Sequence, residues 1–228
     1  MDLSFVFFIN HSIHRELILK KLLLVAAIAG ALPFAAQAES NFVSAASGTL
    51  TATARLNFTV TIPRVMYLQV GTGTNFSTVG TVDNLAFTVP GASVGAGGTI
   101  AGTGGDLGAG AVTVRVLGNA GDLSLKSGVT GQLSNGSSTI PWSAITVTAA
   151  PLTAGMTAGF TNAAITHPAF STTSGAGPTA TTFTSVNTVV RQESKWTFAY
   201  DNTGVYAPGT YGATVANNGV VTYTLTSP

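Results

Sequence analysis

Apolar side chains recur at every second position through much of this chain, and the pattern is most complete in the stretch GTLTATARLNFTVTIP at residues 48–63. Seven apolar residues alternate there with Thr, Arg and Asn: Leu50, Ala52, Ala54, Leu56, Phe58, Val60 and Ile62. A period of two places all seven side chains on the same face of a β-strand. We therefore expect this face to be covered by protein.

The same period continues along the chain, and no segment beyond residue 38 shows the 3.6-residue period of a helix. Val112, Val114 and Val116, for example, alternate with Thr113 and Arg115. We expect further strands near residues 66–70, 85–89, 112–116, 122–126, 142–148, 182–191, 195–200, 210–216 and 220–226. The sequence predicts an all-β fold, a two-sheet sandwich of about nine or ten short strands.

Turn residues divide the chain between these strands. The segments 210–216 and 220–226 are joined by Asn217-Asn218-Gly219, a strong β-hairpin signal. Residues 90–112 contain nine glycines, and residues 151–178 are rich in Ala, Thr, Gly and Ser. Because these two stretches offer few apolar side chains to bury, we expect both to be long surface connections.

The amino terminus has the features of a secretory signal peptide. Lys20 and Lys21 precede an apolar run at residues 22–32, which is followed by the small-residue sequence AQA at 36–38. The run is too short to span a bilayer, which needs about 20 residues. We predict a cleaved signal peptide at residues 1–38 and a single domain at 39–228. Residues 1–16 fit a signal peptide badly, because they contain a second apolar run. The alternatives are a start-site artefact, an unusually long segment before the apolar run of the signal peptide, and a membrane-retained amino terminus.

The charge of the exported part excludes several classes of function. Residues 39–228 carry six basic and six acidic residues, and the basic residues form no cluster. Nucleic-acid binding needs a basic surface, so we exclude that class of partner. The chain has no cysteine, which excludes disulfides and thiolate metal sites and leaves apolar burial as the source of stability.

The residue types needed for catalysis are scarce. His167 is the only histidine after residue 38, and no acidic residue is near it in sequence, so a Ser-His-Asp triad and a histidine metal site are both disfavoured. Asp106 lies in a glycine-rich stretch without the further carboxylates of a calcium site. Asp83, Asp122, Glu193 and Asp201 are too few for the sequence to favour any catalytic pair. We expect no enzymatic activity, no cofactor and no metal.

The segment KWTFAY places three aromatic side chains on one face of a strand: Trp196, Phe198 and Tyr200. If they are exposed, they form a platform on which sugar rings can stack. If they are buried, they form the core side of the strand. Thr197 and Ala199 make the opposite face small and semi-polar, which favours burial of the aromatic face.

The carboxy-terminal third contains VYAPGTYGATV at residues 205–215. Pro208, Gly209 and Tyr211 resemble the corner at which a sandwich chain crosses between sheets and a tyrosine hydroxyl bonds to backbone a few residues upstream. Together with LTATARLNFTVTIP and the terminal VVTYTLTSP, this corner resembles bacterial exported immunoglobulin-like surface domains. The chain is similar in particular to chaperone-usher fimbrial subunits and to spore coat U type proteins.

The resemblance implies an immunoglobulin-like sandwich that lacks a strand, which a neighbouring subunit supplies from its amino-terminal extension. We assign residues 56–62 to this chain's own core. Leu50, Ala52 and Ala54 form a strand-donation face if they project into a neighbour; the alternative, which we favour, is that they cross to the second sheet of the same molecule.

The expected role is that of a structural or adhesive protein, fimbria-like and disulfide-free, in the periplasm, at the cell surface or outside the cell. Its expected partners are itself or related subunits and an export chaperone, with no transmembrane segment in the mature chain. The alternative role is a soluble carbohydrate-binding module with a glycan as ligand.

Overall fold

The computed structural model describes residues 40–74 and 76–227. The predicted signal peptide therefore lies outside the described residues. The chain divides into two units between Thr61 and Ile62.

Residues 40–61, the described part of the first unit, contain no strand, although they include most of the alternating stretch. The side chains of Leu56, Phe58 and Val60 are 73–86% exposed, and Ile62, at the start of the second unit, is 75% exposed. The expected burial of residues 56–62 in the chain's own core is therefore wrong. Alternation specifies a strand only where a partner edge is available, and a local pattern does not say which molecule supplies that edge.

The second unit is all-β, as the sequence predicts. Its 14 strands are β1 Met66–Val70, β2 Leu85–Ala86, β3 Thr99–Ala101, β4 Thr103–Gly104, β5 Ala111–Gly118, β6 Leu123–Val129, β7 Leu133–Ser134, β8 Thr139–Ile140, β9 Ile145–Ala150, β10 Thr161–Asn162, β11 Gly175–Ala176, β12 Thr181–Phe183, β13 Val190–Asp201 and β14 Val221–Thr226. Six of them have only two residues, and so their number exceeds the nine or ten expected. Two short 3-10 turns, Gly91–Ser93 and Trp142–Ala144, complete the unit. Within the described residues we find no helix long and apolar enough to cross a membrane.

The long strand β13 is the centre of the larger sheet, which has six strands. On one side β13 pairs antiparallel with β5 and, further along, with β3; on the other it pairs with β9 and, in parallel, with β10. Strand β1 is antiparallel to β5, with Met66 opposite Gly118 and Val70 opposite Val114. The order β1-β5-β13 therefore leaves β1 at one edge of the larger sheet.

The strand β6 is the centre of the smaller sheet, which has four strands. It pairs antiparallel with β14 along one side and with β12 and β11 along the other. The carboxy-terminal strand β14 is thus an edge strand. The pairs β2–β4 and β7–β8 form two small separate sheets.

Both sheets contribute to one apolar core. Val114 and Val116 of β5 and Leu125 of β6 are completely buried, and Trp196 of β13 lies among them. In β5, β6 and β13, the alternating apolar residues seen in the sequence are thus the residues whose side chains face the core. Burial of these side chains is the main stabilising contribution in a chain without disulfides.

The predicted strand at residues 210–216 is wrong, and so is the predicted hairpin that follows it. Residues 211–220 contain no strand, and Gly212 and Ala213 have φ angles of +77° and +66°. A left-handed pair of residues cannot continue an extended strand. The amide of Gly219 instead donates to the carbonyl oxygen of Thr214, so the segment forms a turn, and β14 pairs with β6.

The connection at residues 151–178 runs partly through the core rather than only over the surface. Leu152 and Ile165 are 4% and 2% exposed, and Pro168 is fully buried. The side-chain amide of Asn162 donates to the carbonyl oxygen of Leu152 and its oxygen accepts from the Leu152 amide. The segment's polar backbone is thereby satisfied while its few apolar residues pack inward.

Candidate functional site

An open groove lies between the two sheets, on the side where β1 and β14 are edge strands. Its floor is formed by Val112 of β5 and Phe198 of β13, together with Trp142 and Phe170. Val70 of β1 and Val221 and Tyr223 of β14 line its walls, and so do residues 81–85. The cavity has a volume of about 350 Å³, which is large enough for several apolar side chains.

The burial of the lining residues shows that the core is open on this side. Val112 on the floor is buried, whereas Val70, Leu85, Val221 and Tyr223 are only half-buried although they pack against the core. The groove is therefore a place where apolar core surface meets solvent.

Each wall of the groove carries a strand whose outer edge has no ladder partner in the described part of the chain. Strand β1 pairs only with β5, and β14 pairs only with β6. An unpaired edge presents a row of backbone N–H and C=O groups that can bind a further strand. The groove thus combines backbone donors and acceptors with apolar pockets between them.

The residues before β1 are fixed in line with this strand. The side-chain oxygen of Asn119 accepts a hydrogen bond from the Val65 amide at 2.8 Å, and its amide group donates to the Pro63 carbonyl oxygen at 2.8 Å. Asn119 directly follows β5 at Gly118. The side chain of Asn119 thus ties residues 63–65 to the end of β5.

His167 lies beside the groove and contacts one of its walls. Its Nε2 atom is 2.7 Å from the hydroxyl oxygen of Tyr223, and its ring contacts Phe170, Trp196 and Phe198. Burial lowers the pKa of His167 to about 4 and raises the pKa of Tyr223. The neutral imidazole is thus part of an aromatic cluster.

The aromatic side chains of β13 lie in the core. Trp196 is fully buried and its Nε1–H donates to the Ile165 carbonyl oxygen at 2.6 Å. Phe198 and Tyr200 are 6% and 7% exposed. The three residues considered as a sugar platform thus do not form an exposed row, although Phe198 and Tyr200 each border a cavity.

The corner residues make the contact expected of them. The hydroxyl of Tyr211 donates to the carbonyl oxygen of Ala207, four residues upstream, at 2.7 Å. Pro208 and Gly209 lie between the two, and Gly209 has a φ angle of +150°. This bond closes the segment at residues 207–211 on itself.

The other proposed site residues, Leu50, Ala52 and Ala54, are exposed in the first unit. Leu50 is 48% exposed. They belong to the same exposed apolar series as Phe58 and Val60, so the structure does not separate the stretch into a buried half and a free half.

The acidic residues are held by separate partners. Asp83 accepts from the amide and the hydroxyl of Thr72, and Asp122 accepts from Ser185. The carboxylate of Glu193 is completely buried and pairs with Arg115 at 3.0 Å. Among residues 40–74 and 76–227, we find no group of three potential metal ligands.

The buried ion pair fixes the 151–178 connection over the larger sheet. Arg115 donates from Nη1 to the Gln69 side-chain oxygen at 3.0 Å and from Nη2 to the Gly155 carbonyl oxygen at 2.5 Å. The Thr157 amide donates to the Glu193 carboxylate at 3.0 Å. The pair is thus structural, and its hydrogen bonds satisfy both charges.

Comparison with protein-family models, with curated proteins and with solved structures finds no match for this chain.

The groove itself is the feature that the sequence pattern did not reveal. Alternation identifies Val70, Val112, Val221 and Tyr223 as residues with one buried face, but it does not tell which strands are neighbours. The groove is lined by side chains of both β1 and β14, each of which has a free edge, and this proximity follows from the tertiary arrangement. The sequence does contain one indication of such a groove. Residues 50–62 alternate as a strand does, but residues 50–61 form no strand in the described chain.

Proposed function

We propose that this protein is an exported structural subunit of the cell surface that assembles with other copies of itself by strand donation. In this proposal the second unit is an immunoglobulin-like sandwich that lacks one strand, and residues 50–62 of another copy provide it. One observation carries the proposal. The chain has an exposed, strictly alternating apolar segment and also an open apolar groove between two free strand edges.

The donor segment has a strong reason to be covered. Leu56, Phe58 and Val60 are each more than 70% exposed, and burial of a large apolar side chain is worth about 1.5–3 kcal/mol. The total for the segment is comparable with the stability of a small domain, about 5–15 kcal/mol. A complex that covers this face is therefore strongly favoured over the free chain.

The acceptor groove matches an extended segment in its chemistry. A strand that pairs with the free edge of β14 gains main-chain hydrogen bonds and directs every second side chain into the groove. Phe198, Val112 and Val221 offer apolar surface to those side chains. The intervening Thr, Arg and Asn residues of the donor then face solvent.

Two further features fit an exported subunit. The predicted signal peptide supports the exported location, and neutral charge after residue 38 agrees with a role that needs no nucleic acid.

The decisive experiment compares two substitutions on opposite faces of the donor segment. Wild-type protein is expected to form high-mass oligomers that resist SDS. Phe58→Asp places a charge in the groove of the next copy, and so it is expected to leave monomers. Thr59→Asp changes the neighbouring residue on the solvent face and is expected to assemble as the wild type does.

Two outcomes would contradict strand donation. Wild-type protein that stays monomeric at all concentrations excludes it. Equal effects of Phe58→Asp and Thr59→Asp would show that charge alone, and not the apolar face, controls assembly. Circular dichroism of both variants is expected to show the same β-rich spectrum, because neither residue lies in a strand.

A further inference from the structure

The groove continues past Phe87 and Ile145 into a second cavity with a different lining. This cavity has a volume of about 630 Å³, and its walls carry three tyrosines, Tyr200, Tyr206 and Tyr211. Asn84 and Asn202 also line it, as do Gly204 and residues 206–211. We call it the tyrosine cavity.

The described lining of the tyrosine cavity carries no charge. Among the described residues that form its walls, none is Asp, Glu, Lys, Arg or His. A charged ligand would be desolvated there without a partner, which is unfavourable. The lining is therefore suited to a neutral ligand that has both apolar and hydrogen-bonding surface.

Several polar groups of the tyrosine cavity are free to bind a ligand. Whereas the Tyr211 hydroxyl is used by Ala207, the hydroxyls of Tyr200 and Tyr206 and the side-chain amide of Asn84 have no hydrogen-bond partner within the described residues. Burial and the neighbouring Tyr206, Asp201 and Tyr211 raise the pKa of Tyr200. The Tyr200 phenol therefore stays neutral at physiological pH.

The ring of Tyr206 is held in place by its surroundings. A Cβ atom on Gly204 would lie 2.5 Å from Cε2 of Tyr206, so the ring packs directly against the Gly204 backbone. The bond from Tyr211 to Ala207 fixes the segment that follows. A half-buried aromatic ring in a fixed position loses little entropy when a ligand binds to it.

We propose that the tyrosine cavity binds a neutral saccharide. A sugar ring has an apolar C–H face that can stack on the ring of Tyr206, and hydroxyl groups that can pair with the Tyr200 hydroxyl and the Asn84 amide. The proposal does not rest on strand donation, because Tyr200 and Tyr206 line the tyrosine cavity and not the groove between β1 and β14, whereas Asn84 lines both.

Calorimetric titration of the full chain with three neutral trisaccharides, built from glucose, mannose or galactose, tests this inference. At least one trisaccharide is expected to bind with a Kd of about 1 mM or below. Tyr206→Ala is expected to weaken binding at least about tenfold, or 1.4 kcal/mol. Tyr206→Phe keeps the ring and is expected to weaken binding less.

Tyr67→Phe is the matched control, because Tyr67 bonds to Gln69 and Thr74 and does not line the tyrosine cavity. It is expected to bind as the wild type does. Thermal unfolding of each variant shows that it is folded. If Tyr206→Ala does not fold, Asn84→Ala decides the question: it removes the amide that pairs with the sugar and is expected to weaken binding, and unchanged affinity would overturn the proposal.

Three results would overturn the proposal. One is the absence of binding for all three sugars at about 10 mM. Another is unchanged affinity in the Tyr206 variants. The third is that a decaproline peptide binds and no sugar does, and that Tyr206→Ala abolishes binding of the peptide. The site would then be a peptide groove. Assembly of Phe58→Asp is measured separately, so failure of one proposal does not decide the other.

Discussion

His167 and Tyr223 are joined by a hydrogen bond of 2.7 Å between Nε2 and the phenol oxygen. The bond connects the 151–178 connection to the carboxy-terminal strand β14, which forms one wall of the groove. Because the imidazole is buried among Phe170, Trp196 and Phe198, its neutral form is favoured in the folded protein.

This relationship predicts a loss of stability in mild acid. The pKa of His167 falls from 6.5 to about 4 on folding, so the unfolded chain binds a proton that the folded chain does not. The free energy of unfolding therefore keeps its highest value above pH 6.5. It decreases as the pH falls towards 4, by at most about 3 kcal/mol. Urea unfolding between pH 4 and 7 measures the decrease.

The variant His167→Gln isolates this effect from that of the carboxylates. It is expected to be less stable at pH 7 but to have a flatter profile between pH 6.5 and 4. Asp122, whose pKa is lowered by hydrogen bonds from Ser185, still contributes to the loss at lower pH in both proteins. Equal slopes for wild type and His167→Gln would show that the histidine is not the group that titrates.

Trp196 provides a second prediction about the same aromatic cluster. Trp196→Ala removes a fully buried side chain and leaves the Ile165 carbonyl oxygen without its donor. We expect a loss of about 3–5 kcal/mol in the free energy of unfolding. Val215→Ala, at a side chain that is 68% exposed, is expected to change it by less than about 0.5 kcal/mol. An unchanged melting temperature for Trp196→Ala would contradict its place in the core.

The sequence pattern predicted the central strands because burial and period coincide in them. In β5 the residues Val112, Val114 and Val116 alternate and all three are buried, and in β13 the aromatic face is the core face. The pattern was misleading in residues 210–216, where Gly212 and Ala213 adopt positive φ angles. Alternating apolar residues also occur in a turn such as this one, which is held by hydrogen bonds to a distant part of the chain: the Gly212 amide donates to the Ser134 carbonyl oxygen.

The candidate site was less predictable than the fold, for a physical reason. Residues 165–170 have the composition of a loop, yet Ile165, His167 and Phe170 complete the aromatic cluster beside the groove. Ile165 accepts a hydrogen bond from Trp196, which is 31 residues away in the sequence. His167 bonds to Tyr223, which is 56 residues away. Such contacts are fixed by strand order, which the period of two does not encode.

The ion pair between Arg115 and Glu193 gives a third prediction. Both residues sit opposite each other in the register of β5 and β13, and the carboxylate is completely buried. Glu193→Gln leaves the buried guanidinium without its counter-charge, and we expect a loss of about 3–5 kcal/mol. Lys126→Gln, at an exposed position of β6, is the control and is expected to have little effect. Urea denaturation measures both variants.

The salt dependence of Glu193→Gln adds a second measurement. A buried pair is screened little by added salt, so wild type and variant are expected to differ by the same amount at low and high ionic strength. A difference that disappears in about 1 M salt would indicate that the pair behaves as a surface pair.

Strand donation predicts a change in amide exchange along the donor segment. In the monomeric variant Phe58→Asp, residues 50–61 have no ladder partner and their amides are expected to exchange rapidly. In assembled wild-type protein they are expected to exchange on the order of 100-fold more slowly, and β14 is expected to gain protection with them. Protection of residues 50–61 in monomers would contradict the exposure of this segment.

The glycine-rich segment before β5 gives the last prediction, because two of its glycines share a conformation but not an environment. Gly108 and Gly110 have φ angles of +71° and +72°, so alanine at either position is expected to cost about 1–2 kcal/mol in backbone strain. A Cβ at Gly108 meets nothing within 4 Å, whereas one at Gly110 would lie 2.8 Å from the Gly102 Cα and 3.0 Å from the Phe198 carbonyl oxygen. These are backbone atoms that cannot rotate away, and the Gly110 carbonyl oxygen accepts from the Phe198 amide. Gly110→Ala is therefore expected to destabilise the protein by about 1–3 kcal/mol more than Gly108→Ala. Urea unfolding measures the difference, and equal losses would show that the backbone of Gly110 is not in close contact with those of Gly102 and Phe198.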